Sequence, residues 1–436
     1  MKKVFLLIIT GCLLLSAFSL SAFDIGGAID NQSAVELEGS TVEASFLQFD
    51  KLTLWLESDI GKNFYIGAQG SYTFSLTRYY LFDLELLKFR SEIPLPSANM
   101  FLSIDAGRFP VTDFTERVLS HPLDGLNLHM KFPFMNTTLF AGYSGLLFKE
   151  PSRIIMSKHD AADRLSNSVL LAPSRLIGMA EFDFFDLFLR QDLMLNYIIQ
   201  WDFTPETDLT DETKGGKLNT HYIGLGLGGS PFTNFYYDAY GYLGLGTTLS
   251  YINGEYVDAN ILAWMAGASL RWYPEKKLYS RILLDFVIGS GDKDNYTFTE
   301  GNTYKMSTLF VPIAGTPRDT VFTPEVGNMM IGTLSYSLKP FAQLGTHGKY
   351  FQVEVQGVVY LRPTIGAISE DYNTASDSIY VGTEADLSLN YRPFSDFGVS
   401  LNGGVFIPNT LTGGVFLWET QRTVEAKIKL DFSLSF

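Results

Sequence analysis

The chain carries five histidines, His121, His129, His159, His221 and His347, and their spacing speaks against metal or hydrolytic chemistry. No pair shows the His-x-x-x-His or His-Glu-x-x-His spacing that sets two imidazoles on one helical face around zinc. A strand-borne hydrolase would need a histidine and a serine two positions apart on one face, and no His-x-Ser occurs. Neither a Gly-x-Ser-x-Gly elbow nor a Gly-x-x-x-x-Gly-Lys phosphate loop is present. Gly224, Gly226, Gly228 and Gly229 lie in a strand-like stretch with no helix after it, which reads as tight sheet curvature and not as a nucleotide grip. The acidic clusters at 206–212 and 370–377 could hold divalent cations, but ordinary loop solvation is the favoured reading. The sequence therefore points to no enzyme and no cofactor. The chemistry that remains is electrostatic. Arg108, Arg271, Arg281 and Arg392, with Asp285, Glu354, Glu384 and Asp386, are candidates to line a wet passage and set a field across it.

Period two positions these charges. Over 424–436 the even residues are Val424, Ala426, Ile428, Leu430, Phe432, Leu434 and Phe436, while every odd residue is polar or charged. A helix would scatter the apolar set around its circumference; a strand gathers it on one face. The same alternation recurs at 193–203, 260–272, 351–362 and 379–392, with His129 on the polar face of 123–132. Weaker matches at 24–31, 44–58, 63–77, 79–89, 98–109, 123–132, 135–144, 175–189, 219–229, 234–251, 278–290, 328–341 and 395–407 bring the count to about eighteen. Most are longer than the roughly 5–6 residues of a strand in a soluble sandwich. They reach the ~9–11 residues that cross a bilayer at a tilt. No capped helix with a sustained 3.6 period is expected. Tight separators near 59–62, 134–136, 274–277 and 393–396 alternate with long ones at 145–174, 204–218, 291–327 and 362–378. Aromatic pairs such as Tyr79-Tyr80, Tyr236-Tyr237 and Trp272-Tyr273 cluster near strand ends, with Tyr391 and Trp418, where a lipid–water girdle would lie.

Residues 1–22 read as an export leader: Lys2-Lys3, an apolar run over 4–15, then small Ser19, Ser21 and Ala22. A competing lipoprotein box, Ile9-Thr10-Gly11-Cys12, is followed by three leucines where a polar linker is expected. The mature chain would span 23–436, without the sole cysteine and with 30 basic residues against 47 acidic ones, a formal charge near −17. A disulfide framework, thiolate-held metals and cysteine nucleophiles are thereby excluded. A nucleic-acid partner is excluded as well, since phosphate attraction needs a basic stripe. The acidity hints at cation preference.

Beyond 22, no apolar stretch approaches the ~18–20 residues of a spanning helix. A membrane-seeking chain of this kind can satisfy its backbone only by closing a sheet on itself. The expected fold is all-β, a single transmembrane antiparallel barrel of about eighteen strands, with sixteen the nearest alternative. The last strand, with Ile428, Leu430, Phe432, Leu434 and Phe436 in register, resembles the C-terminal assembly signal of Gram-negative outer-membrane barrels. The run 105–110, Asp-Ala-Gly-Arg-Phe-Pro, with Leu123-Asp124-Gly125-Leu126 after it, is similar to a strand–loop–strand arrangement of porin-like families. Ile288-Gly289-Ser290-Gly291-Asp292 before a long loop faintly resembles the eighteen-stranded alginate-export type. The resemblance implies the outer membrane of a diderm bacterium, contact with its lipid, insertion by the barrel assembly machinery, and passive diffusion of small polar solutes. It also implies either a monomer or a homotrimer.

Two rival functions stay open at this stage. One is a transporter of hydrophobic compounds, with fourteen strands and an N-terminal plug built from 23–43. The other is a surface adhesin or structural anchor. A receptor with twenty-two strands would need a longer chain. The loop at 291–327 is either a plain extracellular loop or a constriction folded into the lumen. In the second case Arg108, Arg271 and Arg281 would oppose its carboxylates across the pore.

Overall fold

The computed structural model describes residues 23–38, 43–76, 80–96, 99–188, 190–205, 217–252, 255–293, 306–316, 319–345, 348–417 and 423–436. The expected leader at 1–22 lies outside them, as do Tyr79, Arg318, His347, Trp418 and the acidic cluster at 206–212.

The strands are β1 (Asp24–Glu38), β2 (Glu43–Ile60), β3 (Phe64–Ser75), β4 (Leu81–Leu95), β5 (Met100–Thr112), β6 (Ser120–Lys131) and β7 (Met135–Tyr143). After them come β8 (Arg175–Phe188), β9 (Gln191–Asp202), β10 (Lys217–Phe232), β11 (Phe235–Ile252), β12 (Glu255–Trp272) and β13 (Arg281–Gly289). A two-residue β14 (Met306–Ser307) precedes β15 (Met330–Leu338), β16 (Phe351–Leu361), β17 (Tyr380–Tyr391), β18 (Phe397–Pro408) and β19 (Glu425–Ser435). Apart from β14, each strand pairs antiparallel with its sequence neighbours, and β1 pairs with β19 from Ala28↔Ser435 to Leu37↔Ala426. The result is a closed transmembrane barrel of eighteen strands. β14 lies apart from this order, parallel to β12 at Asn260 and Ile261.

Each expected segment corresponds to one barrel strand. The ends differ: β1 runs on to Glu38, β4 is shifted to Leu81–Leu95, and β12 begins at Glu255. Because β1 is a wall strand bonded on both sides, it leaves no N-terminal plug, and the plugged fourteen-strand alternative is overturned.

The pleat sorts the side chains as the alternation requires. In β19, Ile428, Phe432, Leu434 and Phe436 are exposed on the outer surface, with Leu430 partly covered. Lys427 pairs inside with Glu36, and Lys429 lies 3.3 Å from Asp431. Turning these charges outward would cost about 2–4 kcal/mol each at mid-membrane, so the register is fixed by its own chemistry. At the seam, Phe436 N–H donates to the Gly27 carbonyl and Gly27 N–H to the Phe436 carbonyl, both at 2.9 Å. A Cβ at Gly27 would lie 2.6 Å from the Phe436 ring, so a larger residue there would have to displace that ring.

One phase change departs from the expected alternation. Over 379–392, Val381 should face out, yet it is fully buried while Tyr380 is exposed. A bulge where β16 meets β17, between Tyr360 and Leu361, takes up one residue and reverses the faces beyond it.

Connections at the end where β1 begins and β19 finishes are mostly short. The long ones, 144–174, 203–216, 290–329, 362–379 and 409–424, all leave the opposite rim. The segment 144–174 contains a helix that the alternation did not reveal, α1 (Lys158–Leu165), closed by a capping box in which Ser157 and Asp160 exchange side-chain and backbone bonds. Beneath it Arg175, with no exposed surface, holds Asp160 at 2.5 Å and Asp202 at 3.0 Å. Desolvating three charges is repaid only while the set is complete. Arg175→Ala strands two buried carboxylates and should lower stability by about 3–5 kcal/mol. Replacing Arg175, Asp160 and Asp202 together by apolar residues should recover only part of that loss, since the backbone N–H groups that the two aspartates accept are then unpaired. Urea unfolding in lipid vesicles, followed by tryptophan fluorescence, measures both.

Candidate functional site: a loop-narrowed lumen

The described parts of the segment between β13 and β15, 290–293, 306–316 and 319–329, do not stand away from the barrel. They bond to the interior at four separated arcs of wall. Beside β12, β14 pairs with Asn260 and Ile261, and the Ser290 hydroxyl donates to the Thr308 carbonyl at 2.7 Å. From β10, the Tyr222 hydroxyl donates to the Val311 carbonyl at 2.5 Å. On the far side, Ile313 and Ala314 N–H both donate to the Val118 carbonyl, at 2.9 and 3.0 Å, within the β5–β6 connection. Finally, β17 supplies Glu384, whose carboxylate accepts the N–H groups of Thr320, Val321 and Phe322 at 3.1, 2.8 and 2.9 Å. The Tyr360 hydroxyl of β16 donates to the same carboxylate at 3.1 Å.

Apolar packing reinforces these bonds. Phe322 stacks on Phe406 at 4.4 Å between centroids and meets Tyr360 edge-on at 4.9 Å, with no surface exposed. Phe310, Ile313, Val326 and Met329 join it, as do Leu147, Ile154 and Met156 from the β7–β8 connection and Val415 and Phe416 from the last one. Arg362, also fully buried, donates to the carbonyls of Ser376, Ser378 and Gly366 and ties the β16–β17 connection into this mass. The core touches the loop-rim ends of β5 to β18, whereas β1 to β4 contribute no residue to it among those described. Among the described residues, the apolar filling of the lumen near the loop rim thus leans on β5 to β18.

The β5–β6 connection is itself built around Asp113. Its carboxylate accepts the N–H groups of Thr115, Val118 and Leu119 and the Tyr242 hydroxyl, at 2.7–3.1 Å. Phe114 stacks on Tyr242 at 5.4 Å. A Cβ at Gly224 would come within 2.4 Å of the Tyr242 ring, and one at Gly226 within 2.7 Å of Phe114. Gly224 thus makes room for the Tyr242 ring of β11 and Gly226 for Phe114 of the connection.

Below the folded loop lies a cavity of about 570 Å³ lined by Arg117, Arg271, Glu116, Asp238, Asp285 and Asp319, with Gln356 and Tyr240. Arg117 reaches Asp285 at 2.9 Å, and Arg271 pairs with Asp238. Two guanidinium groups therefore stand among four carboxylates. A second cavity, about 370 Å³, opens between β1 and β19 and is bordered by Asp30, Asn31, Asn390, Arg392, Lys429 and Asp431.

Of the residues anticipated from sequence, Arg271 and Asp285 share the larger cavity. Asp386 faces inward nearby, with Gln356 Nε2 at 3.4 Å. Arg281 and Glu354 pair with each other at 2.9 Å toward the short-turn rim. Arg392 is exposed on that rim and bonds the Ser395 carbonyl at 2.7 Å. Arg108 grips Asp124 through two bonds of 2.8 and 2.9 Å and also the carbonyls of Leu84 and Leu146. Hence none of Arg108, Arg271 and Arg281 forms an ion pair with a described carboxylate of the 291–327 loop. Each is neutralised by the wall, because a cross-strand partner two or three residues of reach away costs less entropy than one across a wet lumen. Glu384 is fully buried behind the loop and acts as its pin. His129 faces the lumen between Asn127 and Thr138, at 2.8 and 3.0 Å. The sequence reading missed Asp113, Arg117 and Phe322; Asp319 is one of the loop carboxylates it considers and Tyr360 lies on the polar face of 351–362, but the partner of neither could be read there. Only Asp113 had a usable signal, an aspartate opening a short connection whose N–H groups need an acceptor.

No protein-family model matches the chain, and no curated protein is similar to it by sequence. Solved structures are similar in fold. The Pseudomonas aeruginosa protein OpdQ aligns at TM-score 0.57 and 11% identity, over 96% of this chain and all of its own. OccK2 (OpdF) of the same organism, in complex with glucuronate, aligns at TM-score 0.56 and 13% identity, over 96% and 99%. OpdL aligns at TM-score 0.55 and 14% identity, over 96% and 100%. The fold is that of the OccK/Opd barrels. At these identities the likeness is one of architecture, and the lining of this barrel has to be read from its own residues.

Bonds to an ionised acceptor contribute about 1.5–3 kcal/mol each, so Glu384 is the largest single hold on the loop. Glu384→Ala should free 319–322 and raise single-channel conductance by about twofold or more, with Glu384→Gln intermediate. Planar-bilayer recording checks this, and unchanged conductance in both variants would remove Glu384 from the role of pin.

Proposed function

We propose that the protein is a passive, non-enzymatic channel in the outer membrane of a diderm bacterium, admitting small hydrophilic solutes or ions. One observation supports this above the rest: a sealed wall, apolar outside and charged inside, whose lumen is narrowed but not filled by a pinned loop. An adhesin or anchor needs no ion-paired interior, whereas a solute path does. The inner faces of β2, β4 and β5 carry paired charges, Lys51 with Glu85 and Arg90 with Asp105, which favour a wet interior. The apolar residues of β19 fit the expected recognition by barrel assembly machinery.

The likeness to OccK2, whose structure holds glucuronate, supports a small polar solute as cargo. The charge of this lining supports a different preference. With four carboxylates and two guanidinium groups around the larger cavity, cations should be favoured over anions. In a KCl gradient, the reversal potential should give a K⁺ to Cl⁻ permeability ratio of about 2 or more at pH 7.5. Absence of conductance above background would overturn the channel reading; anion preference would overturn the selectivity alone.

Asp319, in the loop, gives that preference a pH dependence. Burial, and next the neighbouring charge of Glu384, push its carboxyl up to about 6, against the pull of Arg117. It is ionised above that pH and neutral below it. Cation preference should therefore weaken as pH falls from 7 through 5, and Asp319→Asn should abolish most of the change. Reversal potentials recorded across this range measure it.

A further inference from the structure

The short-turn rim is uneven in charge. Between β12 and β18 it carries Lys276, Lys277, Lys339, Lys349 and Arg392, in three successive turns. The turns form one continuous surface: Lys339 N–H donates to the Leu278 carbonyl at 2.7 Å, and Arg392 N–H to the Tyr350 carbonyl at 3.3 Å. None of the five cations forms an ion pair with a described residue. The two carboxylates of these turns are occupied within them, Glu275 by the N–H groups of Lys277 and Leu278 and Asp396 by the Ser395 hydroxyl. Around the rest of this rim the basic residues are Lys62, Lys131 and Arg190, one to a turn. A protein with a formal charge of −15 thus gathers a net basic arc, five cations against two carboxylates among the described residues, on one edge of its membrane band.

Aromatic and apolar side chains are interleaved with the cations. Tyr279 and Phe394 are each 62% exposed and Leu344 77%, at a level where the membrane band ends. The Lys339 ammonium stands 5.6 Å from the Tyr279 ring centroid, and that of Lys349 stands 5.0 Å from the Tyr350 ring centroid. Rings of this kind sit among headgroups, and the ammonium groups beside them are then held at the depth of lipid phosphates.

From this we infer that the arc between β12 and β18 is a binding surface for anionic phospholipid, drawing phosphatidylglycerol-type headgroups to one side of the barrel. The inference goes beyond channel activity and needs only that the barrel sit in a bilayer. Trp272, exposed on the outer face at the start of the arc, is the built-in reporter. A variant retaining Trp272, with the other four tryptophans replaced by phenylalanine, is reconstituted in phosphatidylcholine containing dibrominated phosphatidylglycerol or dibrominated phosphatidylcholine. Quenching should show phosphatidylglycerol favoured by about twofold or more at low salt, with the preference falling toward one in 1 M NaCl. Adding Lys276→Gln, Lys277→Gln, Lys339→Gln and Lys349→Gln should bring the ratio to about one, while Lys62→Gln with Lys131→Gln should leave it unchanged. Equal quenching by the two lipids in the parent overturns the inference, as would occur if the arc served an acidic protein instead. A preference that survives the fourfold change or high salt overturns it too, and the salt series needs none of the lysine variants to fold. Conductance measured on the same samples reports the channel separately, so failure of either reading is visible without the other.

Discussion

Everything in this molecule depends on leaving no backbone N–H or carbonyl unbonded in hydrocarbon. No helix of the described residues is long and apolar enough to cross a membrane, so the chain satisfies its backbone by sheet alone. A sheet has two raw edges until its first and last strands meet. The ladder between β1 and β19 is therefore the contact on which the other seventeen depend. It explains why a bulky Phe436 ends the chain opposite a glycine, and why the outer face of β19 is so uniformly apolar.

Closure creates an interior as well as a wall, and the loops determine how much of it stays open. Long connections on one rim could have stood in solvent. Instead, Glu384 and Asp113 each offer one carboxylate to three backbone N–H groups, turning irregular chain into something that can be buried. Phe322, Phe310 and Phe416 then bring a packed apolar core into what the alternation alone would leave as a wide wet tube. The loops thereby acquire the rigidity of the wall they lean on.

Strand count, order and facing were legible because period two is a local signal repeated along the whole chain, and each repeat corresponds to a wall strand. The misreadings share a different origin. Residues 24–38 alternate weakly, being rich in glycine and acid, yet their partners β2 and β19 impose the strand. The helix Lys158–Leu165 spans about two turns, too short to show a period. Val381 faces inward because of a bulge whose partner lies twenty residues earlier. The candidate site was legible only in kind: inward charges of both signs could be listed from alternation, but their pairing could not. Arg108 with Asp124 and Arg281 with Glu354 are cross-strand matters of register. Arg117 with Asp285 and Glu384 with 320–322 join parts of the chain more than sixty residues apart.

The lopsided filling of the lumen has a consequence for how the molecule could change over time. With the loop core leaning on β5 to β18, the inner faces of β1 to β4 carry none of that apolar packing. Outside the pairs that hold the register, such as Glu36 with Lys427, substitutions there alter what a traveller meets with less disturbance to the scaffold. The first quarter of the barrel is thus the region where evolution, or an engineer, can redraw the preferences of the pore at the least risk to its fold.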